Sequence, residues 1–184
     1  MIVKETGIKG VYEIVLKPIT DNRGFFMRTY DGEIFKQFGI PSNWVQENHS
    51  KSLKKYTIRG LHFILSPHTD GKLIRCIRGR AFDVFVDLRR GSLTFGRWQS
   101  FLLTEEDYKV LFLPKGIAHG FCTLEDNTEI LYRNDTYYKK EYDSGIVWND
   151  KDLKIEWPVN NPIISEKDNN LMSYQKFIKD VGGL

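Results

Sequence analysis

Six side chains of this sequence are of types that carry out proton chemistry: His62, Lys72, His119, Tyr132, Tyr138 and Asp168. An imidazole takes or gives a proton near neutral pH, and a phenol donates one. An ammonium steadies an oxyanion, and a carboxylate orients an imidazole. The clearest local signal surrounds His62. It sits in Arg59-Gly60-Leu61-His62-Phe63, after the strand-like run Tyr56-Thr57-Ile58 and before the turn-rich Ser66-Pro67-His68-Thr69-Asp70-Gly71. A polar ring between Leu61 and Phe63 is costly to bury unless its nitrogens are hydrogen-bonded. Taken alone, His62 reads as a satisfied core histidine. The others have plain readings too. Lys72 is a solvated lysine, Tyr132 a core tyrosine with a bonded hydroxyl, Asp168 a helix cap and Arg23 an exposed turn residue.

Other chemistries fit less well. The four histidines, His49, His62, His68 and His119, contain no His-x-His or His-x-x-x-His pair, so no metal site is expected. There is no Gly-x-Ser-x-Gly elbow and no glycine-rich phosphate loop. What remains is proton chemistry.

The elements that must position these residues are mostly strands. Gly10 to Thr20 and Phe25 to Tyr30 read as strands joined by the turn Asp21-Asn22-Arg23-Gly24. Gly32 to Phe38 reads as a short helix, with Asp31 as N-cap and Gly39 as stop. Trp44 to Ser50 alternates, with Gln46, Asn48 and Ser50 on one face. Further strands are expected over Lys72 to Ile77, Arg80 to Arg89, Trp98 to Leu103, Tyr108 to Leu113, Ala118 to Thr123 and Glu129 to Asn134. In the second of these, Phe82, Val84, Val86 and Leu88 share one face, opposite Asp83, Phe85 and Asp87. Ser165 to Asp180 has a helical pattern, with Ser165 as its cap. Many short strands between regular turns predict an all-β fold, an antiparallel sandwich or barrel with a few short helices. Inward positions from separate strands of such a fold converge on one cavity.

The whole chain bounds the partners. Its 184 residues make one sizeable core and one domain, 1–184, the expectation. Aromatic residues, 14% of the chain, favour strands and a lined pocket. The net charge of +3 is dispersed, which excludes a nucleic-acid footprint and suits a small anion. No apolar run approaches the ~20 residues of a membrane helix, and no signal-peptide pattern opens the chain. Cys76 and Cys122 lie in apolar runs and read as reduced core residues of a cytoplasmic protein.

Several motifs in order resemble a known family. They are Asp21 to Phe26, Arg59 to Phe63, Lys72 to Arg75, Gly79 to Arg89, Gly91 to Gly96, Pro114 to Phe121, Trp148-Asn149-Asp150 and Ser165 to Asp168. Together they resemble the dTDP-4-dehydrorhamnose 3,5-epimerase family of cupin-fold sugar-nucleotide epimerases. The resemblance implies a jelly roll, a homodimer, no metal, no organic cofactor and a nucleoside-diphosphate 4-keto sugar as substrate. It implies His62 as base, Asp168 as its carboxylate partner, Lys72 at the enolate oxygen and Tyr132 as acid on the far face. Arg23 and Arg59 are implied at the diphosphate, Gln46 and Asn48 at the nucleoside, and Phe26, His119 and Tyr138 at the pocket wall.

The pattern is departed from at Arg28, where the thymidine-nucleotide enzymes usually carry glutamate, and at Ile64, where they usually carry glutamine. Leu93 replaces the proline of the family's Ser-Pro-Thr. An arginine can read guanine, so Arg28 leaves the base open among dTDP, GDP and CDP, on a hexose or a heptose. The alternatives carried forward are a single-centre epimerase, a 3,4-ketoisomerase and a non-catalytic sugar-nucleotide-binding cupin.

Overall fold

The computed structural model describes residues 1–184. Alternating apolar and polar residues fold into two antiparallel sheets laid face to face. One sheet has six strands in the order β1 (Ile2–Glu5), β2 (Tyr12–Val15), β10 (Lys109–Leu113), β7 (Lys72–Arg78), β12 (Thr128–Asn134) and β5 (Gln46–Ser52). The other has five, in the order β13 (Asp143–Gly145), β6 (Ile58–Ile64), β11 (Ile117–Thr123), β8 (Arg80–Asp87) and β9 (Trp98–Thr104). Neighbours within a sheet are distant in sequence, and no strand pairing joins the two sheets, so the jelly roll is an open sandwich. A separate hairpin, β3 (Ile19–Asp21) with β4 (Gly24–Phe26), stands off both sheets.

Each sheet is covered on both faces, which explains why strands such as β8 are buried almost throughout. Between the sheets, Ile74, Cys76, Leu111 and Ile130 meet Ala81, Phe85, Leu103 and Ile117. Val84, Val86 and Leu88 point the other way and pack with Phe63, Ile146 and Phe177 of the C-terminal segment. The outer face of the six-stranded sheet, through Leu73, Val110 and Phe112, is covered by Phe35 of helix α1 (Gly32–Gln37) and by Ile40. The alternation read from Phe82 to Leu88 is therefore correct, and both of its faces are core.

Several boundaries differ from the sequence expectation. Gly10 to Thr20 is two strands, because Pro18 falls between β2 and β3 and supplies no N–H to a ladder. The strand expected from Phe25 to Tyr30 ends at Phe26. The single helix expected from Ser165 to Asp180 is two, α2 (Glu166–Asn169) and α3 (Tyr174–Asp180). Between them Met172 bridges Ile146, and its carbonyl accepts from the Val147 N–H, so that stretch is extended. Ser165 caps α2 through the Asp168 N–H, and Ser173 caps α3. Tyr56 lies outside β6 with a positive φ of 62°. Strands β1 and β13 were not anticipated. No helix is long and apolar enough to cross a membrane.

Candidate active site

A pocket of about 400 Å³ opens between the inner faces of the two sheets. One wall comes from β5, β7 and β12 of the six-stranded sheet, through Gln46, Asn48, Lys72 and Tyr132. The other comes from β6 and β11 of the five-stranded sheet, through Arg59, His62 and His119. Helix α2 closes one side with Asp168. Alternation places these side chains inward: Tyr132 follows Ile130 on the core face of β12, and His62 faces away from Leu61 and Phe63.

His62 is held by Asp168. The imidazole Nε2 lies 2.8 Å from Asp168 Oδ1, while the Gly60 N–H donates to Asp168 Oδ2 at 3.1 Å. A carboxylate only accepts, so Nε2 carries a proton and Nδ1 is left without a partner in the chain. Asp168 is 4% exposed. Burial pushes its pKa up, but the hydrogen bond and charge of His62, the Gly60 N–H and the charge of Lys167 outweigh that and hold it below the usual carboxylate value. It is ionised at neutral pH. Gly60 is indispensable to this geometry. Its φ is +114°, and a Cβ there would stand 2.6 Å from Gly120 Cα and from the His119 carbonyl oxygen. Strands β6 and β11 approach too closely at this point for a side chain.

The opposite wall supplies a cation and a phenol. The Lys72 ammonium, 7% exposed, donates to Asp70 Oδ1 at 2.8 Å. The Tyr132 hydroxyl makes no hydrogen bond to another side chain. Burial raises its pKa above the ordinary phenol value; the Asp70 and Asp143 charges add to this, and Arg59 opposes it. It is a protonated donor at neutral pH. A second imidazole–carboxylate pair lies beside the first: His119 is the cross-strand neighbour of His62, and its Nε2 lies 2.8 Å from Asp83 Oδ2. Burial lifts the Asp83 pKa, with His119 opposing, and Asp83 Oδ1 is buried without a partner.

Nine of the twelve residues named from the sequence line this pocket: Gln46, Asn48, Arg59, His62, Lys72, His119, Tyr132, Tyr138 and Asp168. Arg59 stands at its edge, donating to Ser52 Oγ and the Lys51 carbonyl. Tyr138 donates its hydroxyl to Asp143 at 3.0 Å. The remaining three are elsewhere in the chain. Arg23 pairs with Asp21 on the β3–β4 hairpin, and Phe26 beside it is 70% exposed. Arg28 pairs with Asp31 at 2.7 Å, the residue that caps α1. Ile64 lines the pocket.

Sequence reasoning missed Asp70, Asn134 and Asp83. Asp70 stood in a Thr-Asp-Gly turn and gave no signal of its own. Asn134 shares the alternation of Ile130 and Tyr132, and Asp83 is a carboxylate on the Phe85 face, so both were readable as inward polar groups.

A jelly roll with a polar pocket between its sheets is the architecture of the cupins. Within that class the chain belongs to the dTDP-4-dehydrorhamnose 3,5-epimerase family, whose model matches residues 5–176. It is an isomerase of the sugar-nucleotide epimerase type. A dTDP-4-dehydrorhamnose 3,5-epimerase of Shigella flexneri is 45% identical over 179 residues, 97% of each chain. A crystal structure of dTDP-4-dehydrorhamnose 3,5-epimerase from Bacillus anthracis, with TDP and PPi bound, superposes with a TM-score of 0.91 at 42% identity, covering 93% of this chain and 98% of that one. A dTDP-4-dehydrorhamnose 3-epimerase of Streptomyces niveus is 35% identical over 94% of this chain and 83% of its own. These relatives are named for dTDP sugars, and none of them supports GDP or CDP.

Proposed function

We propose that the chain inverts C3 and C5 of a dTDP-linked 4-keto deoxyhexose. The C4 ketone acidifies the C–H bonds on either side of it. His62 Nδ1 takes the proton from one face, and the C–H electron pair passes into the carbonyl to give an enolate. Lys72 stabilises the oxygen that gains charge. The Tyr132 O–H returns a proton to the opposite face, and solvent reprotonates the phenolate and deprotonates the imidazolium. No proton is gained or lost overall. Asp168 keeps the imidazole oriented and stabilises its cationic form. The observation that carries this reading is that His62 and Tyr132 come from opposite sheets onto one pocket, as base and acid on the two faces of a planar enolate must.

In the same reading, Arg59 contacts the diphosphate with its planar fork, Gln46 and Asn48 meet the nucleoside, and His119 and Tyr138 line the sugar. The chain is a homodimer. The hairpin carrying Arg23 and Phe26 exposes Ile19, Phe25 and Phe26, an apolar surface suited to a second copy of the chain. Through that contact, Arg23, Phe26 and Arg28 serve the neighbouring pocket. Two buried free thiols suit the cytoplasm. The names of the relatives favour dTDP over GDP. Titration with dTDP, GDP and CDP tests the base, with dTDP expected to bind tightest; equal affinities contradict that choice. A single-centre C3 epimerase is the second reading, favoured by the similarity to the Streptomyces niveus 3-epimerase. Proton NMR of the product distinguishes inversion at one carbon from inversion at two.

A further inference from the structure

We propose that Asp70 is a positioning residue for Lys72, locked in place by Asn134 at the inner end of a hydrogen-bonded chain that runs in from the nucleoside wall. This rests on the epimerase reading and on the part of Lys72 in it. The Asp70 carboxylate accepts on both oxygens: from the Lys72 ammonium at 2.8 Å on Oδ1, and from Asn134 Nδ2 at 2.6 Å on Oδ2. Asp70, Lys72 and Asn134 are all buried. The chain continues outward. Asn48 Nδ2 donates to Asn134 Oδ1 at 2.9 Å, Gln46 Nε2 donates to Asn48 Oδ1 at 3.1 Å, and the Tyr138 N–H donates to Gln46 Oε1 at 3.2 Å.

Every donor in this chain points the same way, toward Asp70. That ordering fixes the orientation of three amides, because reversing any one would set donor against donor at one end and acceptor against acceptor at the other. An anion at the terminus is what makes the ordering favourable, since a charged acceptor strengthens the bonds that lead to it. The backbone beneath is fixed as well. The Gly71 N–H donates to Asp135 Oδ1 at 2.7 Å, and the Asp135 N–H donates to the Gly71 carbonyl.

A lysine side chain is long, and its ammonium has several rotamers open to it. Tethering one N–H to Asp70 selects one position and leaves two N–H groups for the substrate oxygen. Asp70 therefore acts on the sugar through Lys72. Its loss should lower turnover and leave nucleotide binding intact, because Lys72 is used where charge develops in the reaction.

The isosteric Asp70→Asn variant tests this. Expected is a fall in kcat of about tenfold, with KM and dTDP affinity each within about twofold of the wild type. Asn134→Ala, which also releases Asn48, should lower kcat by less, about threefold. A second readout needs no turnover: the side-chain ammonium signal of Lys72 in nitrogen-15 NMR, assigned by its disappearance in Lys72→Gln. It should be sharp in the wild type and broadened by proton exchange in Asp70→Asn. An unchanged kcat, an unchanged ammonium signal, or dTDP affinity and melting temperature falling together with kcat would each overturn the proposal. A wild-type chain that binds dTDP and shows the sharp signal but inverts no 4-keto sugar would overturn the epimerase reading instead.

Discussion

In the proposed reading, a modest set of contacts makes a strand histidine, His62, the base. The carboxylate holds Nε2, and the Gly60 N–H holds the carboxylate. Removing the ring should abolish exchange of substrate protons with solvent: His62→Ala is expected to lose at least about 10³-fold in kcat, within the range of general-base catalysis, with dTDP affinity within about twofold. Isothermal titration alongside a turnover assay checks both values. Tyr132→Phe divides the reaction differently. The base still removes a proton and can return one from solvent to the same face, so deuterium should enter the sugar while inversion falls by about 10²-fold or more. Loss of exchange and inversion in equal measure would make Tyr132 a structural residue.

At the scale of the element, two features set how strands and turns hold the site. The first is the close pass of β6 and β11 at Gly60. A Cβ there meets backbone and not a flexible side-chain tip, and the positive φ adds strain. Gly60→Ala is therefore expected to destabilise the fold by about 2 kcal/mol or more, read from urea unfolding. The second is the turn after β8. Asp87 is buried, which raises its pKa, but hydrogen bonds from Arg89, Ser92 and Thr94 overcome this and depress it from 3.8 to about 2. A depressed carboxylate contributes stability that is fully present above its unfolded value and is lost as pH falls through the folded value. The contribution is on the order of 2 kcal/mol and should disappear between about pH 4 and pH 2. The stability of Asp87→Asn should fall less than that of the wild type over that interval, in urea midpoints taken at each pH.

Across the whole molecule, the sequence made the sandwich legible through its alternating strands and turns, while the pairing of distant strands came from the fold. Nothing in the chain order announces that β7 lies between β10 and β12, or that β6 lies between β13 and β11. The pocket follows from that pairing. His62, Lys72, Tyr132 and Asp168 were identified by resemblance; their residue types alone left core, surface and capping roles open. Asp70 was invisible because a turn aspartate is ordinary, and only the folded chain brings Asn134 onto its second oxygen. The C-terminal helix misled because Leu171 and Met172 fit a helical period, whereas a β bridge to Ile146 takes Met172 out of it. The exposed hairpin belongs to this scale too. If a second copy covers it, Phe26→Ser should shift the chain toward monomer in light scattering and weaken dTDP binding in step.

The central claim is proton transfer at carbons flanking a ketone, between a base on one sheet and an acid on the other. Incubation of the chain with a dTDP-linked 4-keto deoxyhexose in deuterated water tests it most directly, with mass spectrometry and proton NMR of the recovered sugar. The account predicts solvent deuterium at C3 and C5, each with inverted configuration. Recovery of the sugar without deuterium, from the dTDP, GDP and CDP forms alike, would contradict it and leave a pocket that only binds.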